Sequence, residues 1–291
     1  MAAPRWRMAL QRTRGMVPVE VRQGLRYLVA TGRDVLEGLT GQSDPDLPPH
    51  RLRSVGMGDF RLIGENMVRR FVDLGGLQPE HDLLDLGCGS GRMAIPLTAY
   101  LSTDGSYTGI DIRPRTIEWC RRHITPNHPN FQFDRAELRN TLYARRAPGD
   151  PARFTFPYPN DSFDFVVACS LFTHMLPPGA QNYLREIARV LRPDGKCFTT
   201  WYVLNEETRH GATRNVGIMR FDIDRGDHAV DSARVPEAAL AYKEGALRSM
   251  FQSAELSLHE PIHFGSWSGA ANALTAQDVV IAARTRVTQS S

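Results

Sequence analysis

From residue 82 onward, short apolar runs alternate with stretches in which apolar side chains recur every three or four residues. Residues 82–86, 107–111, 131–134, 163–168 and 196–204 read as strands; 92–101, 114–123 and 178–191 read as helices between them. Alternation of this kind buries a parallel sheet beneath helices on both faces, a doubly wound α/β fold. An amphipathic helix follows over 236–253, with Pro236 in its first turn. Two more runs, 256–263 and 278–283, flank the loop Gly265-Ser266-Trp267-Ser268-Gly269. They complete a predicted seven-stranded, mostly parallel sheet with an antiparallel last strand. Residues 205–233 are polar and carry no readable period.

Upstream of the sheet, 19–39 has helical character and 41–56, with Pro48-Pro49, has linker composition. A helix over 60–74 ends at Gly75-Gly76. This divides the chain into a helical N-terminal extension, 1–56, and an α/β domain, 57–291. Residues 1–30 contain Arg5, Arg7, Arg12, Arg14, Arg22 and Arg26 against a single acid, Glu20. Such a bias reads as a solvated basic lead-in, with a transit peptide or a helix in peripheral contact with a membrane surface as the alternatives.

The 291 residues suffice for one large α/β domain with appendages. None of its apolar runs approaches the roughly 18–20 residues of a membrane span. A formal net charge of +3 is too small to imply a nucleic-acid partner. Cys88, Cys120, Cys169 and Cys197 are isolated, without zinc-ligand spacing, so no metal is expected and reduced thiols of a cytoplasmic protein are.

The densest chemical signal is Asp85-Leu86-Gly87-Cys88-Gly89-Ser90-Gly91, at the carboxyl end of the first strand. Ligands of open α/β sheets bind at such ends. The pattern is D-x-G-x-G-x-G. Neither register gives the G-x-G-x-x-G of a dinucleotide site, because Arg92 and Ala94 stand where the last glycine would. Asp111 closes the second strand twenty residues beyond Gly91, where a carboxylate can accept from both hydroxyls of a ribose. Glu137, beside Ala136, follows the third strand, with Asp134 as competitor for the same role.

These residues resemble class I, Rossmann-like S-adenosylmethionine-dependent methyltransferases over roughly residues 60–285. The glycine loop is similar to that family's motif I and Asp111 to its motif II; 163–176 resembles motif IV and the segment after it. The resemblance implies S-adenosylmethionine as cofactor, held by Asp85, Gly87, Cys88, Gly89, Gly91, Asp111, Ile112, Ala136, Glu137 and Ser170. It places residues 169–174 beside the transferring methyl. The carboxyl-terminal stretches 242–244, 265–269 and 277–280 look like a bacterial subgroup associated with small-molecule or glycan modification. No asparagine- or aspartate-led Pro-Pro motif follows strand four, where Ala168-Cys169-Ser170-Leu171 stands, which disfavours methylation of exocyclic base nitrogens. A nicotinamide oxidoreductase, lacking its fingerprint and a Tyr-x-x-x-Lys pair, is the weaker alternative. So is a non-catalytic cofactor-binding protein.

If the acceptor atom is an oxygen, a general base is needed, and His174 is the candidate, with Glu137 and Asp161 behind it. His174 is equally readable as a cap or packing residue of the next helix. His263 and Trp267 read as hairpin packing more readily than as pocket residues.

Overall fold

The computed structural model describes residues 19–53, 58–213, 221–269 and 273–285. Two compact units are distinguished, Met1–Ser54 and Val55–Ser291.

The first unit contains helix α1 (Val19–Thr40) and a short 3-10 turn, His50–Leu52. The turn is tied to the helix by its carboxylates. Asp34 accepts the His50 amide at 2.5 Å and the Arg51 guanidinium at 2.9 Å. Glu37 lies 2.9 Å from His50 Nε2. The arginines Arg5, Arg7, Arg12 and Arg14 lie outside the described residues.

The second unit is the predicted sheet. Its strands are β1 (Asp82–Leu86), β2 (Ser106–Asp111), β3 (Phe131–Arg135), β4 (Phe163–Ala168), β5 (Leu191–Trp201), β10 (Leu256–His263) and β11 (Asp278–Arg284). They run in the order β10-β11-β5-β4-β1-β2-β3. β1 to β5 are parallel, and only β11 runs against its neighbours. Helices α2 (Phe60–Asp73), α3 (Ala94–Leu97), α4 (Pro114–His123), α5 (Pro177–Val190) and α7 (Glu244–Ser253) surround it. Because both sheet faces are covered, β4 is buried almost throughout, which is why it reads as an apolar run, and β5 is buried from Cys197 onward. On one face Phe71 of α2 packs edge-on to Phe198, ring centroids 4.9 Å apart. On the other, Trp201 stacks on Phe172 at 4.1 Å and meets Tyr242 and Phe251.

Four elements differ from the sequence reading. The strand expected over 196–204 runs Leu191–Trp201, and Val203–Leu204 pairs in a second sheet. The helix expected over 92–101 contracts to Ala94–Leu97, with turns on either side. Pro96 has no N–H to give the Arg92 carbonyl, so the ladder cannot start there. The helix expected over 236–253 begins only at Glu244. Pro236–Ala238 is a 3-10 turn and β9 (Leu240–Lys243) is a buried strand, because pairing on two sides outweighs the weak periodicity of the run. Residues 205–233, unassigned from sequence, contain α6 (Glu206–Thr213), β7 (Ile223–Asp224) and β8 (His228–Val230). With β6 (Val203–Leu204) and β9 they form a second sheet in the order β6-β9-β8-β7, inserted between β5 and α7.

Two anchors fasten this insert to the main sheet. Buried Asp278, at the start of β11, accepts the amides of Val203 and Gly265, each at 2.6 Å, and Trp267 Nε1 at 2.8 Å. Burial raises its pKa to about 6 despite those three donors. Tyr242 of β9 donates its hydroxyl to the Met175 carbonyl at 2.5 Å. Trp267 is buried against Tyr202 and Phe221.

Candidate functional site

The chain runs from β1 to β2 and β3 on one side, then returns to β4 on the other. The carboxyl ends of β1 and β4 therefore border the crevice that such a reversal opens. The glycine loop lies at that point. Gly87, Gly89 and Gly91 have φ of 81°, 59° and 79°, a left-handed backbone that a side chain would strain at each position.

The three glycines differ in what a side chain would meet. At Gly91 a Cβ would stand 2.8 Å from Ile124 and 3.3 Å from the Cys120 sulfur, so this glycine packs the loop onto α4. At Gly87 a Cβ would only touch Leu171, at 3.4 Å. That contact brings the glycine loop and the segment after β4 together. At Gly89 a Cβ would lie 3.1 Å from the end of the Arg113 side chain. Cys88 turns its sulfur beneath the loop, against Gly109, where any side chain would come within 3 Å of it. Burial raises the Cys88 thiol well above its ordinary pKa, so it is an inert packing group.

Asp111 ends β2 beside this loop. Its Oδ2 accepts the Gly89 amide at 2.9 Å, and its Oδ1 accepts the Arg113 amide at 2.8 Å and Nε at 3.2 Å. The buried carboxylate thus organises the loop. Arg113 was not singled out from sequence, and nothing but its position after Asp111 marks it. Its guanidinium lies 5.9 Å from the centre of the Tyr143 ring. Ile112 is half-buried against the core, and the Ala136 amide donates to the Asp111 carbonyl at 3.1 Å.

Asp85 and Glu137 are placed differently. Asp85 is buried and accepts the Tyr107 hydroxyl at 2.6 Å. Desolvation raises its pKa to about 7; the Tyr107 bond and the charge of Arg92 oppose the rise, and Asp111 adds to it. Glu137 is exposed and pairs with Arg135 at 3.2 Å. Its competitor Asp134 accepts the Tyr158 hydroxyl at 3.0 Å and stands 3.7 Å from Arg121.

At the end of β4 the structure assembles a polar cluster that sequence did not reveal. Ser170 has φ of 57°; its amide donates to Thr200 Oγ1 at 2.7 Å and its hydroxyl to Gln277 Oε1 at 3.0 Å. Thr200 donates to the same oxygen at 2.6 Å. Gln277 Nε2 reaches Thr173 and Tyr202 hydroxyls, each at 3.5 Å. Beside it Tyr202, Phe221 and Trp267 form an aromatic group with centroids 5.2–5.5 Å apart. Gln277 is 107 residues from Ser170 in the chain, and no periodicity connects them.

His174 sits in a 3-10 turn, Phe172–His174, between that cluster and the insert. Its Nδ1 donates to the Glu237 carbonyl at 3.0 Å, and its ring meets Tyr143 edge-on. Burial lowers its pKa, partly offset by the Glu237 and Ala238 backbone, so the imidazole is neutral near pH 7. With the proton on Nδ1, Nε2 is the basic nitrogen. Glu237 also receives the amide and hydroxyl of Thr141, which fixes the insert against the loop after β3. Asp161 lies elsewhere, paired with Arg284. Among the described residues no group of three or more His, Cys, Asp or Glu could hold a metal.

Comparison with known proteins agrees with this geometry. Residues 83–195 match the family model described as Methyltransferase domain. A nocamycin O-methyltransferase of Saccharothrix syringae is 33% identical over 197 residues, 65% of this chain and 57% of that protein. A 27-O-demethylrifamycin SV methyltransferase of Amycolatopsis mediterranei is 32% identical over 114 residues, 39% of this chain and 36% of that one. The chain thus spans about half or less of these relatives' length. A solved SAM-dependent methyltransferase from Methanosarcina mazei, 18% identical, superposes with a TM-score of 0.50 over 75% of this chain and 97% of its own, a likeness of fold. The glycine loop, its acidic partner on β2 and the strand order thus lie in a stretch, 83–195, that is similar to the methyltransferase domain family.

Proposed function

We propose that this chain transfers a methyl group to an oxygen of a small hydroxylated molecule or a glycan. The observation that carries the cofactor half is the Asp111 carboxylate drawn against Gly89. It leaves the left-handed, side-chain-free positions Gly87, Gly89 and Gly91 at the switch point of the sheet, where a ligand can lie close to the backbone. When bound, S-adenosylmethionine supplies an electrophilic methyl group on sulfur.

The chain's own residues do the rest. Asp111 accepts from ribose hydroxyls, and the Ala136–Glu137 stretch borders the adenine. Ser170, held by Thr200 and Gln277, shapes the floor next to the acceptor. His174 Nε2 takes the acceptor hydroxyl proton as the oxygen attacks, while the Glu237 carbonyl keeps Nδ1–H in place. The insert excludes water above this point. The oxygen acceptor is supported by the relatives' O-methyltransferase name and by a neutral, oriented histidine. A second reading is that His174 only fastens the insert to the segment after β4. Its hydrogen bond to Glu237 supports that equally.

Calorimetry with S-adenosylhomocysteine and with NAD tests the cofactor half. Binding of NAD alone would end the proposal. For the acceptor, incubation with methyl-labelled cofactor and a panel of hydroxylated small molecules and sugars, followed by mass spectrometry, should find a product heavier by one methylene. Amine products alone would replace the oxygen assignment.

A further inference from the structure

We infer that α1 is an interfacial helix that lays its apolar face on an anionic lipid bilayer. Eight of the eleven exposed large apolar side chains among the described residues belong to this one helix. Leu28 and Leu39 are 67% and 83% exposed. Val21, Leu25, Leu28, Val35 and Leu39 recur at spacings of three, four or seven residues. At about 100° per residue they share one face. Val29 and Leu36 widen it to an arc of roughly 120°, the breadth of a helix that buries one side in an interface.

Charge on the helix is sorted around that arc. Arg26 and Arg33 fall along one edge, where long cationic side chains reach headgroups while their stems stay apolar. Asp34 and Glu37 lie on the opposite face and are engaged by the His50–Leu52 turn and its neighbours; Glu37 also pairs with Arg33 at 3.6 Å, which leaves Arg26, among the described residues, as the arginine of that edge without an acid on the helix beside it. The acids that would repel an anionic surface are therefore turned away from it and paired. The sequence before the helix adds Arg5, Arg7, Arg12 and Arg14 with no acid before Glu20. Each basic residue near a phosphatidylserine-type surface adds about 1 kcal/mol of attraction. No helix among the described residues is long and apolar enough to cross a membrane. The helix thus lies on the bilayer.

A second copy of the chain is the competing occupant, since spacing of three and four also suits a coiled coil. Its seam would run through Gly32, and the described flanking positions would be Val29 and Leu36 on one side and Gly24, Thr31 and Gly38 on the other. Such flanks hold no charge pairs to select a partner helix. The one-sided arginines fit phosphate instead.

The test is flotation of the full chain with phosphatidylcholine vesicles, with and without phosphatidylglycerol, at low and high salt. Partition into the anionic vesicles only, weakened by salt, is expected. Leu28→Glu combined with Leu39→Glu should reduce partition more than about ten-fold. Arg26→Gln and Arg33→Gln should each reduce it about five-fold. S-adenosylhomocysteine binding by each variant, expected unchanged, reports that the α/β unit is folded and separates failure here from failure of the proposed chemistry. Absence of flotation, equal flotation with neutral vesicles, or flotation that survives both pairs of substitutions would each overturn the inference. So would lipid-free dimerisation, by sedimentation, that the leucine substitutions abolish.

Discussion

Gly91→Ala and Gly87→Ala form a matched pair. Both positions have nearly the same φ, 79° and 81°, so both substitutions incur the left-handed strain of about 1–2 kcal/mol. They differ in neighbours. At Gly87 the added methyl meets Leu171 at ordinary contact distance, 3.4 Å. At Gly91 it stands 2.8 Å from Ile124 Cδ1 and 3.3 Å from Cys120 Sγ, both buried, and α4 or the loop must shift. Overpacking of this kind costs about 1–3 kcal/mol. Gly91→Ala should therefore lose about 2–5 kcal/mol and Gly87→Ala about 1–2. For a unit of this size the difference is a gap of roughly 2–12 °C in Tm. Scanning calorimetry and urea unfolding measure it. Titration with S-adenosylhomocysteine measures the complementary effect: Gly87→Ala, with its methyl directed between the glycine loop and the segment after β4, should lose affinity out of proportion to stability. Equal destabilisation by the two variants would refute the assignment of Gly91 to packing, and with it the division of labour within the loop.

Asp111→Asn keeps an acceptor but removes the charge, and should weaken S-adenosylhomocysteine binding about 10- to 150-fold by calorimetry, equivalent to about 1.5–3 kcal/mol. His174→Ala and His174→Gln should lower kcat about 10²–10⁴-fold with cofactor affinity intact. Because burial lowers the His174 pKa, the wild-type acid limb of kcat against pH should fall below the ordinary histidine value of about 6.5, and stability should decline as pH drops through that value, where only the unfolded chain takes up the proton. Turnover within a few-fold of wild type would make the histidine structural. Gln277→Ala leaves the Ser170 and Thr200 hydroxyls without their shared acceptor and should cost about 1–3 kcal/mol in urea unfolding, with S-adenosylhomocysteine affinity unchanged. Exhaustive EDTA treatment should leave activity whole; rescue by magnesium alone would contradict this.

Sequence alone determined the sheet and the glycine loop, because both are written in local patterns. Strands buried on two faces must be apolar throughout, and a left-handed loop at a strand end needs glycine where Gly87, Gly89 and Gly91 stand. Asp111 was legible from its spacing to that loop. Tertiary structure decided what depended on partners distant in the chain. The run 240–243 became a strand because β6 and β8 offered edges to pair with, which outweighed its helical spacing. Asp85 found Tyr107, and Asp278 gathered Val203, Gly265 and Trp267. Gln277 meets Ser170 only when β11 lies beside β5, and His174 meets Glu237 only when the insert folds back onto the segment after β4. Hydrogen bonds between such positions are fixed by strand order and register, and a single chain's local periodicity carries neither.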